Sequence, residues 1–432
     1  MKIRFFFVST VLFSLFLKTY GQSRTDSFML SLFSKSKDQI TKQVLKDPKE
    51  YKYQIIYTQI DRSSSGKPTF KNYYLNVDPD QYFNPASMVK MPLAFLSLEK
   101  LSQLKNFGIN KYTRMVFDSS YERQVAMSRD SSSADGFPSI AHFIKRAFLI
   151  SENDPYNRMY QFMGQAEINN RLRAKGYAST QITRQFMGYT EEQNRNTNGI
   201  NFFNKDGKVI YRQPPVYNED SFHFPSPILI GKAHINRNDS LVQAPFDFTR
   251  HNNISLEDMQ QMLQAVVFPE SVVKQKRFKL SEEDRNFLLQ FLSQYPSETN
   301  YPKYDENIFY DSYVKFFFND SNRNIPRHIR IFNKVGWAYG FLTDVSYVID
   351  TLHNIDYMLS ATVYVNSDGI VNDSKYDEET IGFPFLRMVG KIIYDYELNR
   401  KRKNRIKIKP IGVLYEKRDE SNMKPSIKIA DN

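Results

Sequence analysis

The chain contains no cysteine. That single absence excludes disulfides, thiolate nucleophiles, iron–sulfur clusters, cysteine-ligated zinc and a lipid-modified cysteine anchor. Histidine is scarce as well: His142, His223, His234, His251, His328 and His353 are the only six. No two of them stand at the i, i+2 or i, i+4 spacing that seeds a metal site, so no metal is expected. There is no internal repeat.

What is present is an ordinary globular composition. The 432 residues are 41% hydrophobic and 25% charged, which suits a sizeable core and rules out a disordered chain or a polytopic membrane protein. Aromatics reach 15%, nearly all of them Tyr and Phe; core packing and loops are their expected homes. Lysine and arginine exceed the acids by 59 − 47 = 12. Nine basic residues and one acid fall in Arg400–Arg418, so much of that charge belongs to a C-terminal tail spanning 399–432. The tail is read as solvated and suited to an anionic envelope surface, rather than as a nucleic-acid site.

The first residues read as an address. Lys2 and Arg4 precede the apolar stretch Phe5–Leu17, and small residues follow at Thr19 and Gly21. A basic start, a short apolar run and small residues describe a secretory signal peptide over 1–21. Thirteen residues are too few to span a bilayer comfortably, so no membrane span is expected after cleavage. The mature chain, expected to be monomeric, would then work in the periplasm or outside the cell.

Periodicity orders the remainder. Phe28–Leu45 has helical spacing, and Tyr51–Ile60 and Thr69–Val77 are expected strands flanking the Ser-, Gly- and Pro-rich turn Asp61–Pro68. Met88–Leu104 is apolar nearly all round, the mark of a buried helix, with Pro92 expected to distort its first turns. Met115–Gly136 is polar and loop-like. Ile140, Phe143, Ile144, Ala147 and Phe148 mark an amphipathic helix. Asp154–Pro155 starts another, which Gly164 can close, so Ser151–Asn153 falls on a tight connection between the two. A loop-rich insertion covers about 194–250. Helices are expected at Leu256–Val267 and Glu282–Leu292, strands at His328–Val335, Thr343–Asp350 and Asp356–Val365, and a last helix at Thr380–Leu398. This order predicts an α+β fold. The two early and three late strands would share one five-stranded antiparallel sheet flanked by helices, with the middle of the chain forming a helical lobe. The folded domain is placed at 22–398.

Ser87-Met-Val-Lys90 sets a hydroxyl and an amine one helical turn apart at a helix start. Such an amine can take the serine proton once burial or a neighbouring cation lowers its pKa. The spacing alone is uninformative, because Ser34, Ser64, Ser97, Ser102, Ser271, Ser312 and Ser421 share it. Ser87 differs in following Asn84-Pro85-Ala86 and in opening the most apolar helix. Two further segments add to it: Ser151-Glu-Asn153 between two helices, and Lys334-Val-Gly336 near the end of an expected strand.

With these three segments in this order the chain resembles the penicillin-recognising serine hydrolases, most closely the class A β-lactamase-like branch, over roughly 28–398. The resemblance implies a β-lactamase or D,D-peptidase fold. It implies a cofactor-free reaction on a small β-lactam or a D-Ala-D-Ala peptide, with no nucleic acid involved. Ser87 would attack the amide carbonyl and Lys90 would serve as base. Ser151 would relay a proton to the leaving nitrogen. Asn153 would bind the substrate amide, Lys334 would supply positive charge for its carboxylate, and Gly336 would leave room along the strand edge. The backbone N–H groups of Ser87 and Trp337 would form the oxyanion hole.

The chain departs from that pattern in three places. Val335 replaces a Thr or Ser whose hydroxyl bonds the substrate carboxylate, a charge-assisted bond worth about 1.5–3 kcal/mol. Glu152 replaces Asp. For hydrolysis of the acyl-enzyme the family uses a loop glutamate with an asparagine four residues on. Glu192 with Asn196 has that spacing, and Glu191 is a rival. The leading expectation is therefore β-lactam hydrolysis, with consequences for antibiotic resistance or β-lactam catabolism. A D,D-peptidase acting on peptidoglycan stem peptides is the alternative, followed by a non-catalytic cell-wall binding module.

Overall fold

The structure, a computed structural model, describes residues 23–319, 323–404, 408, 412–419, 421 and 424–428; the signal peptide expected over 1–21 lies outside them. The expected long first helix is two, α1 (Ser27–Phe33) and α2 (Gln39–Lys46). Asp38 starts the second by accepting from the Thr41 amide. Strands β1 (Gln54–Arg62) and β2 (Pro68–Leu75) follow. A 3₁₀ turn, Ala86–Val89, leads directly into α3 (Lys90–Leu101). Because α3 begins only at Lys90, Pro92 stands in its first turn and is tolerated there, where no intrahelical partner for its missing N–H is needed.

The helical lobe continues with α4 (Ile140–Leu149), α5 (Asn153–Met163) and α6 (Gln165–Ala174). Gly164 ends α5 at φ +80°, a conformation that favours glycine. A single short turn, α7 (Glu191–Arg195), precedes the insertion. As expected, the insertion holds only short strands, among them Ile200–Phe203, Val209–Gln213 and Ala233–Ile235. Ile200–Phe203 pairs with Arg114–Phe117, a strand inside the stretch expected to be loop. Helices α8 (Leu256–Val267) and α9 (Glu282–Ser293) follow, each capped by a serine.

Strands β3 (Ile329–Ala338), β4 (Phe341–Asp350) and β5 (Ile355–Tyr364) complete the five-stranded antiparallel sheet, ordered β3-β4-β5-β1-β2. The last helix, α10 (Phe383–Asn399), packs on the sheet face that also meets α2. One core lies between that face and α1, α2 and α10, holding Ile55, Tyr57, Ile331, Val335 and Phe385. The larger core joins the other face to the helical lobe through Leu93, Phe95, Ile144, Met159 and Leu288. No helix among the described residues is long and apolar enough to cross a membrane.

Over its described residues the tail is not the solvated appendage its charge suggested. Arg330 stacks on Tyr415 at 3.7 Å, and the Tyr415 hydroxyl meets Ser293 at 2.8 Å. Lys145 pairs with Glu416, and Ile427 bridges to Tyr304. Arg400 and Arg402 spend their charge on Glu397, itself fully buried. Basic residues thus strap the tail to the body, which composition could not reveal.

Candidate active site

Ser87 sits on the 3₁₀ turn that feeds α3. The turn is reached through Ala86 at φ +44°, a costly conformation for a residue with a Cβ, held in part by the Asn84 side chain accepting from the Ala86 amide at 2.8 Å. One turn on, Lys90 is completely buried. Its Nζ reaches Ser87 Oγ at 2.8 Å, Asn153 Oδ1 at 2.7 Å and Ser151 Oγ at 3.3 Å, and it also donates to the Ser151 carbonyl. Burial, then the charge of Lys334, hold the Lys90 amine well below the usual lysine range, with Glu152 opposing. An amine that holds its proton this weakly and is aimed at a serine hydroxyl is suited to act as a base.

Ser151 and Asn153 arrive from the tight connection between α4 and α5. Ser151 has φ +69°, and this strained conformation places both its carbonyl and its hydroxyl toward the lysines. Glu152 accounts for how the strain is held. Its buried carboxylate accepts from Arg146 Nε at 2.9 Å and from the Tyr304 hydroxyl at 2.7 Å, and Arg146 continues to Asp130 at 3.0 Å. The Glu that replaces Asp therefore points into the body and anchors the turn.

Lys334 comes from β3. Its Nζ donates to Ser151 Oγ at 2.7 Å, so the hydroxyl links the two lysines. Burial, followed by the charge of Lys315, pushes Lys334 down to about 7, against the pull of Asp344. Strand alternation decides what its neighbours do. Val335 faces the opposite side and is buried in the core with Ile331 and Phe385. It presents no hydroxyl to the cleft and fills a hydrophobic position instead.

Gly336 requires a correction. A Cβ there would lie 2.4 Å from the Pro85 carbonyl and 2.9 Å from Met88 Cγ. The glycine lets β3 approach the turn carrying Ser87; it does not clear space for substrate. Trp337 lines the cleft beside Ser87 and is 38% exposed, leaning on Phe316 and Phe383.

The cleft, about 750 Å³, is lined by Ser87, Asn153, Phe186, Trp337 and residues of the insertion. Glu192 is not among them. It is exposed on α7 and accepts from the Tyr217 hydroxyl at 3.2 Å. Asn196 donates to the Glu192 carbonyl rather than to its carboxylate, and Glu191 pairs with Arg250. The expected carboxylate–amide pair is thus a helix end. Thr190 and Gln193 form a capping box that folds this turn, a signal visible in the sequence as Thr-x-x-Gln. Facing Lys90 instead is Phe186, whose ring centroid lies 5.2 Å from Nζ. Among the described residues lining the cleft there is no Asp or Glu. Nothing in the pattern around Phe186 marked it beforehand.

One group of ligand-type side chains was invisible to spacing because it joins two segments: His328, Asp350 and His353. It lies at the start of β3, roughly 20 Å along the strand from Lys334. The Asp350 oxygens already accept from the Leu352 and His353 amides and the Tyr394 hydroxyl, so this reads as a capped turn.

The sequence matches the β-lactamase enzyme family over residues 35–396. No curated protein matches it. Solved structures align along most of their length at low identity. An ancestral class A β-lactamase is 13% identical, with a TM-score of 0.44, covering 83% of this chain and 99% of its own. A β-lactamase from Xanthomonas campestris is 11% identical, with a TM-score of 0.44, covering 85% and 97%. One from Streptomyces albus G is 11% identical, with a TM-score of 0.45, covering 82% and 99%. With a family match that runs from α2 to α10 and takes in all three site segments, the chain belongs to the β-lactamase enzyme family.

Proposed function

We propose that the protein is a serine hydrolase that opens a β-lactam or D-alanyl amide by forming an acyl-enzyme on Ser87, and that acylation far outpaces hydrolysis of that intermediate. The observation that carries the first half is the continuous hydrogen-bonded chain Ser87–Lys90–Ser151–Lys334. Lys90, whose ammonium form burial and the charge of Lys334 disfavour, takes the proton as Ser87 Oγ bonds to the carbonyl carbon. The tetrahedral oxyanion would be met by the Ser87 and Trp337 amides. As it collapses, the carbon–nitrogen bond breaks. The proton passes from Lys90 through the Ser151 hydroxyl to the leaving nitrogen, and Lys334 replenishes the hydrogen bond to Ser151. The positive end of α3 favours charge developing at Ser87.

The second half rests on Phe186 and on the absence of carboxylates from the described cleft lining. Hydrolysis needs a base to activate water at the acyl carbonyl, and general bases contribute about 10²–10⁴-fold. Lacking one, the acyl-enzyme persists. This favours a penicillin-binding, D,D-peptidase-like reactivity over rapid β-lactam destruction. The test is intact-mass analysis after mixing with a fluorescent penicillin, together with a chromogenic cephalosporin assay. The expected result is a one-to-one adduct lost in Ser87→Ala, with little sustained turnover. No adduct, or one that survives Ser87→Ala, would overturn the acyl-enzyme. Sustained fast turnover would overturn its persistence and restore the β-lactamase reading.

A further inference from the structure

A second cavity, about 540 Å³, adjoins the cleft, and the two share Arg184, Arg237 and His251 as lining. Arg184 precedes Phe186 on the loop after α6, and Arg237 belongs to the insertion. The Arg184 guanidinium donates to His251 Nε2 at 2.6 Å. That imidazole is neutral: burial, then the adjacent guanidinium, push His251 down to about 3. It can accept the hydrogen bond but brings no negative charge. Elsewhere around the cavity the charges have protein partners. Arg250 pairs with Glu191, Arg195 donates to the carbonyls of Asn218 and Asp220, and Asp247 accepts from the Thr249 amide. Among the described ion pairs, none includes Arg184 or Arg237. Neither guanidinium is thus in an ion pair there, and the second cavity's lining as a whole is cationic: four arginines, Arg184, Arg195, Arg237 and Arg250, against two carboxylates, Glu191 and Asp247, the latter acting on His251.

We propose that the junction of the two cavities is a subsite for a second carboxylate of the substrate, carried on its side chain away from the scissile amide and distinct from the carboxylate that Lys334 would attract. The inference rests on the reading of the cleft as a Ser87 acylation site and narrows its substrates to dianionic ones. The insertion would then be a specificity element, since it supplies Arg237 and closes the second cavity.

Two penicillins that differ by a side-chain carboxylate, carbenicillin and benzylpenicillin, provide the probe. Their second-order rate constants for labelling the full-length protein are measured by intact mass at low salt. Carbenicillin is expected to react about ten-fold faster or more, the equivalent of one charge-assisted hydrogen bond, and the ratio is expected to shrink as sodium chloride is added. Arg184→Gln and Arg237→Gln should each pull the ratio toward one; Arg237, being exposed, serves as the variant that leaves the loop intact. Equal rates in the unaltered protein, or a preference that survives both substitutions, would overturn the proposal. If neither penicillin labels Ser87, the acylation reading fails by itself. The subsite is then judged by calorimetry on Ser87→Ala, using acyl-D-Ala-D-Ala peptides with and without a side-chain carboxylate. Ten-fold tighter binding of the carboxylate-bearing peptide upholds the subsite, and equal affinity refutes it.

Discussion

The two walls of the cleft are built on different principles. One wall is made by the ends of regular elements: the 3₁₀ turn before α3, the connection into α5 and the second half of β3. Its two lysines are buried, and its turns are held by side chains behind them, Asn84 at Ala86 and Glu152, anchored by Arg146 and Tyr304, beside Ser151. The other wall consists of the loop 183–190 and the insertion, with short strands, exposed arginines and an aromatic ring opposite the amine. Acylation needs atoms held within tenths of an ångström, so it sits on the rigid wall. Substrate choice and the fate of the intermediate are left to the loops, which can change without disturbing the core.

Removing the amine breaks this contrast most severely. Lys90→Met keeps the length and the buried volume but deletes the base, leaving Ser87, Ser151 and Asn153 facing a thioether. The rate of labelling by penicillin is expected to fall at least about 100-fold, with the far-ultraviolet circular dichroism unchanged. A smaller loss in a folded variant would mean that another group takes the serine proton, and that the rigid wall is less specialised than its geometry indicates.

Giving the loop wall a carboxylate sharpens the comparison from the other side. Phe186→Glu would place an acid opposite Lys90, near where water must approach an acyl group on Ser87. The adduct lifetime, followed by intact mass, is expected to shorten by about ten-fold, less than an optimally placed base achieves. The same carboxylate should favour the ammonium form of Lys90 and slow acylation, so the two steps should move in opposite directions. An unchanged lifetime would show that access of water, rather than a missing base, limits turnover.

The rigid wall was largely legible in the sequence because its signals are local and redundant. The strand and helix periods set the sheet and lobe, and Asp154-Pro155 with Gly164 marked the connection that carries Ser151. The loop wall was not legible, for definite reasons. Glu192–Asn196 has the right spacing, but an i, i+4 spacing is also one turn of helix, and the Thr190–Gln193 capping box decides for the helix. Gly336 was noticed for the wrong reason, because its neighbour is Pro85, 251 positions earlier in the chain. Arg184 meets His251 and the tail meets Arg330 through contacts between distant segments, and no window along the chain contains both partners.

The mildest perturbation is pH, and it tests whether Lys334 works as a charge. Its pKa, lowered to about 7, divides two regimes. Below it the ammonium is present and can hold a substrate carboxylate; above it the amine is neutral and that attraction is gone. Lys90, which must be neutral to act, sets the acidic limb. The second-order acylation rate for a carboxylate-bearing β-lactam should therefore follow a bell, with its alkaline limb near 7 and falling at most ten-fold per pH unit beyond it. A bound carboxylate favours the ammonium, so the limb should move to higher pH once substrate saturates the cleft. Stability should run the other way. Above about 7 the folded protein has released the Lys334 proton, whereas an unfolded lysine keeps it until roughly 10.4, so unfolding takes up a proton and stability rises with pH across that window. Lys315, also buried and pushed down to about 7, adds to the rise in Tm, so the alkaline rate limb is assigned to Lys334 by its loss in Lys334→Met. A rate limb that persists with an uncharged ester substrate would assign it to some other residue.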